Sequence, residues 1–547
     1  MEAELTEQQG RKRYRRIAIC IACLCLLASC LPYLAGWAAS SDRMQFGGVL
    51  AHDRADVYTY LSAMHQGAHG NWSYHILHTP EEHHGEPLKL FYLILGKLAH
   101  AFGLPMAVAY QLARIAAGTC LIAAIYTFTG YFVKDRRSHL VAYLLACVGG
   151  GLGWLIPFLK AAGCQWADWV PIEFWLFEGF TFPTILFFVH GALATAIMLI
   201  TFLAILKYQR TTARREMATV ILLTIALAIV QPLCLPILAT TVCTYMLLLT
   251  WRRWTESRQW PTREEIVITL IVGAISLALA AYFLLPFLIN PVFRSWKTRS
   301  LTLSPPPLHY LWGYGLIVPL AIIGARRTLR EKHETGLFLI AWLLAAAVLI
   351  YLPYLPQRRF AQGIIVPLAC LAALGIERLC WKAEKGVIAF ICRLLLYLVV
   401  ICNVIIVTQQ TTICLSQTQL VFCSREELEA MAWLESNSAP NDTVLAGLRT
   451  GAFIPAAIGH RVFWGHWCET IHLEEKGREF RDFFERGTSD EWRCYFLQRY
   501  GIRYLFYGPQ EKASGDFDPS QAPYLTKQFQ TGAYAVYEVA PQGADVE

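Results

Sequence analysis

Residues 11–16, RKRYRR, run straight into residues 17–39, IAICIACLCLLASCLPYLAGWAA. A helix needs about 20 apolar residues to cross a hydrocarbon core about 30 Å thick, and this run is long enough. The basic start and the tetrad LASC, ending at Cys30, also suit a cleaved leader, but a leader's apolar stretch is shorter. An uncleaved first span is the expectation, with its basic flank in the cytoplasm. Composition points the same way. The chain has 547 residues, 56% hydrophobic and 16% charged, against about 25% charged in a soluble domain.

Working outward from this helix, apolar runs of spanning length recur at 105–133, 139–159, 181–206, 217–231, 233–250, 265–288, 309–324, 336–353, 362–379 and 387–408. Gln231-Pro232 is either a kink in one long helix or a turn between two. Alternate loops are basic: KDRR (134–137), KYQRTTARR (207–215), WRRWTESR (251–258), ARRTLREK (325–332) and ERLCWKAEK (377–385). With the N-terminus they define one side, taken as cytoplasmic. Residues 40–104 and everything after 409 then lie outside.

From Thr411 the sequence turns polar and mixed. TVLAG (443–447), RVFWG (461–465), IRYLFYG (502–508) and AYAVYEV (533–539) predict strands. LEAMAWLESN, GREFRDFFER and SDEWRCYFLQRYG predict amphipathic helices. The expected fold is a polytopic α-helical membrane protein with about eleven transmembrane helices and a C-terminal extracytoplasmic α/β domain. Its divisions are a basic N-terminus (1–16), a transmembrane domain (17–408) with an outer loop (40–104), and an outer domain (409–547).

Several classes drop out. Neither a P-loop nor a GxGxxG follows a predicted strand. GGGLG (149–153) sits in an apolar run and suits close helix packing. Seventeen cysteines are no disulfide framework, because most, from Cys20, Cys23, Cys25 and Cys30 onward, lie in apolar runs and act as small hydrophobes.

The outer loop 40–104 concentrates the titratable groups. It holds Asp53, Asp56, His65, His69 and, in YHILHTPEEHHGEP (74–87), His75, His78, Glu81, Glu82, His83, His84 and Glu86. LKLFYLILGKLAHAF (88–102) is short for a span and reads as an interfacial helix. Three readings stand for the loop. It is a solvated connection, or a site for a divalent metal at His83 and His84, which are ordinary ligand types. The third is acid/base chemistry, in which a carboxylate beside a dry surface takes a proton from a hydroxyl.

The order of features resembles the GT-C superfamily of integral-membrane glycosyltransferases, in particular its protein mannosyltransferase and aminoarabinose transferase-like members. In those proteins the first outer loop runs acid, short helix, G-x-W, then a basic-proline-leucine stretch opening the next helix. Here Asp53 and Asp56 precede VYTYLSAMHQG, Gly70-Asn71-Trp72 and Glu86-Pro87-Leu88-Lys89-Leu90. Glu-Pro-Leu-Lys stands where the family has Lys-Pro-Pro-Leu. The outer domain is also similar to sequences carrying G-H-W-x-E-T, present as Gly465, His466, Trp467, Glu469 and Thr470.

Positive charge outside is an exception to the sidedness rule. Arg358 and Arg359, in PYLPQRRFAQG, could grip a phosphate through the guanidinium fork or meet lipid headgroups. Arg294, Lys297 and Arg299, beside SPPP, read rather as a mobile loop. In WGHWCET (464–470) aromatic and polar groups together suit a sugar. Trp166, Trp169, Glu173 and Trp175 read as belt anchoring.

The resemblance implies an inverting transfer of a sugar from a polyprenyl-phosphate-linked donor to an extracytoplasmic glycan, lipid or protein. Asp53 is the first choice for the base and Asp56 the second. Arg358, Arg359 and Lys89 would bind the donor phosphate. Trp72, Glu86, His466, Trp467 and Glu469 would contact substrate. No cofactor is required, a divalent ion being optional, and membrane lipids but no nucleic acid are expected as partners. The alternatives are a transporter or flippase of lipid-linked glycans and a non-catalytic membrane assembly protein.

Overall fold

In lipid only a helix or a closed barrel satisfies its own backbone, so long apolar runs become helices. The computed structural model describes residues 2–52, 54–165, 168–331, 334–353, 356–380, 394 and 396–540. Asp53 and Trp166 lie outside the described residues. Among the described residues six helices are long and apolar enough to cross a membrane: Lys12–Ala38, Met106–Phe132, Val189–Thr211, Cys234–Ser257, Arg263–Ile289 and Leu396–Leu415. Two broken pairs raise this to eight if each is one span. They are Arg136–Val148 with Gly153–Ala161, bent by 51°, and Pro307–Tyr314 with Ile317–Arg330, bent by 90°. The chain is a mostly helical, multi-pass membrane protein.

Among the described residues the expected eleven spans are represented by six to eight. The runs at 217–231, 336–353 and 362–379 are described as the shorter helices Arg214–Val230 (17 residues), Glu334–Leu349 (16) and Ile365–Cys380 (16), the last two each bordering residues outside the described ones. The helix ending at Val230 and the one starting at Cys234 are separate, so Gln231-Pro232 lies between two helices. The expected span 387–408 lies partly outside the described residues.

The chain forms two compact units. Met1–Pro32, Leu112–Phe283 and Leu301–Gln409 make the first; Tyr33–Gln111, Leu284–Ser300 and Gln410–Glu547 make the second. In the first, Trp342 is fully buried against Phe128 and Phe202. GGGLG is not inside a helix but forms the break of the first broken pair. There the Leu152 N–H donates to the Trp312 carbonyl at 2.9 Å. A Cβ on Gly151 would lie 2.2 Å from that same oxygen, so only glycine lets the two broken pairs touch. Buried Glu173 accepts the Gly153 N–H at 2.9 Å, replacing a helical bond lost at the break.

The second unit carries the sheets. Strand β1 (Met44–Phe46) pairs antiparallel with β2 (Phe422–Ser424). A four-stranded sheet has the order β3-β4-β6-β5, from β3 (Thr443–Leu445), β4 (Ile502–Tyr507), β5 (Leu525–Thr531) and β6 (Tyr534–Val539). The β3–β4 pair is parallel and the others antiparallel. RVFWG is no strand: it gives a single bridge, Val462 to Val444. β5 was not expected. It is an edge strand whose Lys and Gln face outward, which hides the apolar signal. Phe480, Phe483 and Phe484 of helix Leu473–Phe484 pack on Phe496, Leu505 and Tyr537. Ser424 caps helix Arg425–Asn437 by accepting the Glu427 N–H.

Two helices from residues 40–104 set the stage for the site. Arg54–Ala68 and Leu90–Ala101 cross with their backbones almost touching. A Cβ on Gly67 would fall 2.1 Å from the Leu93 oxygen, and one on Gly96 would fall 1.9 Å from the Met64 oxygen. Tyr60 and Tyr92 stack beside the crossing at 4.4 Å. The expected mobile loop at 294–299 is instead helix Pro291–Arg299, capped by Asn290.

Candidate active site

Glu469 is the node of the site. It is buried, and three partners from residues 74–89 meet its carboxylate. Lys89 Nζ lies 2.7 Å from Oε1, while the Tyr74 hydroxyl donates to Oε2 at 2.9 Å and His78 Nδ1 lies 3.1 Å from Oε2. Burial alone would raise this carboxyl, but the Lys89 ammonium and the bond to His78 hold it well below the usual carboxylate range. Lys89 itself sits in the left-handed region, φ 52°, where the chain turns into helix Leu90–Ala101. Its ammonium lies 4.1 Å from the Tyr74 ring centre and 5.4 Å from that of Trp296.

The turn that carries Glu469 is built by its own side chains. Thr470 Oγ1 accepts the N–H groups of Gly465 and His466 and donates to the His78 carbonyl at 2.8 Å. Arg299 donates to the Thr470 carbonyl at 2.6 Å. The same turn fixes the His466 ring. Nδ1 accepts the N–H of Glu469 at 3.1 Å and that of Cys468 at 3.3 Å, so the ring proton is on Nε2. His466 is 2% exposed, and burial pushes its imidazole down to about 4. Nε2 has no hydrogen-bond partner among the described residues. It faces Asp56 Oδ1 at 3.8 Å, too far for a direct bond. Asp56 sits in the first turn of helix Arg54–Ala68 and is partly exposed.

A second buried tie holds the loop in place. Lys476 Nζ lies 2.7 Å from Glu81 Oε1 and donates to Thr79 Oγ1 at 3.1 Å. Burial lowers this ammonium to about 8, with Glu81 working against the shift. Gln66 clamps His75 by both its backbone groups, at 2.8 and 2.9 Å.

The structure therefore gathers Asp56, Lys89, His466 and Glu469, and redistributes the rest. Glu469 is buried, and three side chains of the protein occupy its carboxylate. Trp72 is exposed, with Lys97 over its ring at 4.3 Å. Glu86 accepts from Asn290 at 3.0 Å and pairs its backbone with Tyr74. His83 is not placed as a metal ligand: Nε2 accepts the Ile76 N–H and Nδ1 donates to the Glu81 carbonyl. His84 is exposed, and among the described residues no three His, Cys, Asp or Glu side chains converge as a metal ion requires. Trp464 is core, packed on Phe480, whereas Trp467 is 47% exposed beside His466. In the other unit, Arg359 lies 4.0 Å from Glu178 and Arg358 lies over the Trp175 ring.

No protein-family description matches this sequence, and no curated protein sequence matches it either. Solved structures do. ArnT from Cupriavidus metallidurans, solved with undecaprenyl phosphate bound, is 13% identical with a TM-score of 0.52, the match covering 94% of this chain and 99% of that one. Arabinofuranosyltransferase AftD from Mycobacteria is 15% identical with a TM-score of 0.51, covering 97% of this chain and 42% of that one. The Archaeoglobus fulgidus oligosaccharyltransferase tethered to an acceptor peptide is 12% identical with a TM-score of 0.49, covering 96% and 75%.

The fold is GT-C-like. Within a GT-C-like fold the sequence resemblance and the observed cluster concern the same segments, 54–89 and 464–470. Sequence reasoning missed Tyr74, His78 and Lys476. Tyr74 and His78 lie almost 400 positions from Glu469, their partner, and only spacing-independent contact joins them. The one available signal was the density of histidine and carboxylate in 74–87.

Proposed function

We propose that this chain is a membrane glycosyltransferase that moves a sugar from a polyprenyl-phosphate-linked donor to an extracytoplasmic acceptor. The GT-C-like fold supports the class, and the undecaprenyl phosphate held by the similar ArnT supports the donor. One geometric fact supports the chemistry: the Asp56 carboxylate lies 3.8 Å from the ring N–H of buried His466. A carboxylate so placed takes the acceptor's proton as the acceptor oxygen bonds to the anomeric carbon. The bond from that carbon to the phosphate oxygen breaks, and its electron pair leaves with the polyprenyl phosphate. A single displacement inverts the carbon. Asp53 is the other candidate base.

Glu469 acts as a positioning residue that fixes Lys89 and the His466 turn. Lys89 reaches a phosphate only by exchanging Glu469 for it. Arg358 and Arg359 are proposed to neutralise the donor phosphate, and the exposed Trp467 ring to stack on a sugar face.

The test is transfer by the full chain in liposomes, offered undecaprenyl-phosphate-linked mannose, glucose and arabinofuranose with radiolabel. Transfer from at least one donor is expected, with Asp56→Asn or Asp53→Asn slowing it roughly 100-fold or more. Absence of transfer from all three, or full activity in both variants, overturns the proposal.

One observation favours a second reading, a transporter of lipid-linked material. Glu173 is a buried carboxylate where two broken helices meet, the setting in which transporters place their sites. Labelled lipid crossing the vesicle bilayer without transfer of its sugar would decide for it.

A further inference from the structure

We infer that His466 is the specificity-determining residue for the acceptor, and that it selects a neutral hydroxyl over an amine, an amide nitrogen or an acid. The inference rests on the transfer reading above and names the acceptor's chemistry at that same site.

The argument starts from the direction of one proton. His466 Nδ1 is committed to the N–H groups of Cys468 and Glu469, so Nε2 is a fixed donor. Asp56 Oδ1, 3.8 Å away, is an acceptor. An oxygen about 2.8 Å from each fits across that distance and makes a hydrogen bond with both. Such an atom must accept from His466 and donate to Asp56. A hydroxyl does both at once. An ammonium donates but has no lone pair for the His466 N–H. An amide nitrogen has its lone pair delocalised and accepts poorly. A carboxylate or phosphate oxygen accepts from His466 but meets Asp56 with like charge.

The surroundings keep the pair in this state. The charged and titratable groups facing the ring are Asp56 from helix Arg54–Ala68, His78 and Lys89 from the outer loop, and Cys468 and Glu469 from its own turn. The negative charge of Glu469 is already matched by Lys89 at 2.7 Å. A site built to hydrogen-bond a hydroxyl in both directions rejects groups that leave one partner unpaired, often by 10⁴-fold or more.

The experiment uses the full chain in liposomes with the donor panel above. Its acceptors are methyl α-glucopyranoside methylated at its 2-, 3- and 4-hydroxyls, so that only the 6-hydroxyl is free, and the counterparts in which that hydroxyl is replaced by an amine or oxidised to an acid. The expected result is glucoside glycosylated at least 100-fold faster than either. His466→Phe should raise the KM for glucoside at least 10-fold and narrow that preference. His466→Gln, which keeps an N–H donor, should restore part of it. Saturation-transfer NMR of the three compounds on wild type and His466→Phe separates the two claims. Hydroxyl-selective binding lost in His466→Phe, without transfer, keeps the inference and sinks the transfer reading. Transfer that favours the amine or acid equally, or binding that ignores His466, overturns the inference and leaves the transfer reading standing.

Discussion

Lys89 and Glu469 form an ion pair at 2.7 Å with the carboxylate 1% exposed and the lysine 10% exposed. Removing one partner leaves the other charge buried, at about 3–5 kcal/mol, whereas removing both costs much less. Glu469→Gln and Lys89→Met should each lower the thermal midpoint in detergent, and the double variant should recover part of the loss. Additive losses would show that the two charges are not coupled.

Gly96 should tolerate no side chain. Its Cβ would lie 1.9 Å from the Met64 oxygen, a backbone atom that gives way only if the helix moves. Gly96→Ala should cost about 1–3 kcal/mol by overpacking and weaken transfer by shifting Asp56 relative to Lys89. Wild-type stability and activity in this variant would show that the crossing accommodates a methyl group.

Acid should destabilise the protein through His466. Burial holds its folded value near 4, against an ordinary value of 6.5. Between those values the unfolded chain binds a proton that the folded chain does not, so stability falls as pH drops from about 6.5 toward 4, by on the order of 3 kcal/mol. Glu469, held low, adds a loss of the same sign below about 4.5. Unfolding midpoints measured across this range should slope less in His466→Phe, which has no ring proton to gain. An unchanged slope would mean that other groups carry the acid sensitivity.

Glu173→Ala should unpair the buried Gly153 N–H at the broken helix, costing about 1–3 kcal/mol. Glu173→Gln keeps an acceptor oxygen and should cost less. Thermal midpoints of the two variants compared side by side would reveal whether the carboxylate stitches the break.

Some of this was legible in the sequence and some was not, for physical reasons. Apolar runs such as 17–39 and 181–206 announce helices because lipid permits little else. His466, Trp467 and Glu469 stood out as polar and aromatic residues in one short turn. Which of them faces outward did not, since Glu469 is hidden only by partners near positions 74–89. Span length was overcounted where apolar runs included flanking turns, as at 336–353. β5 escaped because an edge strand with Lys527 and Gln528 outward has little periodicity to read.

The pairing of β1 with β2, and of Lys89 with Glu469 across 380 positions, has a consequence for how the protein is made. Ribosomes add about 5–20 residues per second, so the early half of this assembly emerges roughly 20–80 s before the late half. Throughout that interval Tyr74, His78 and Lys89 lack the Glu469 carboxylate. A nascent chain stopped before residue 422 holds helices Arg54–Ala68 and Leu90–Ala101 but neither the strand that pairs with β1 nor the carboxylate that Lys89 meets, so the cluster closes only once the later segment has been made.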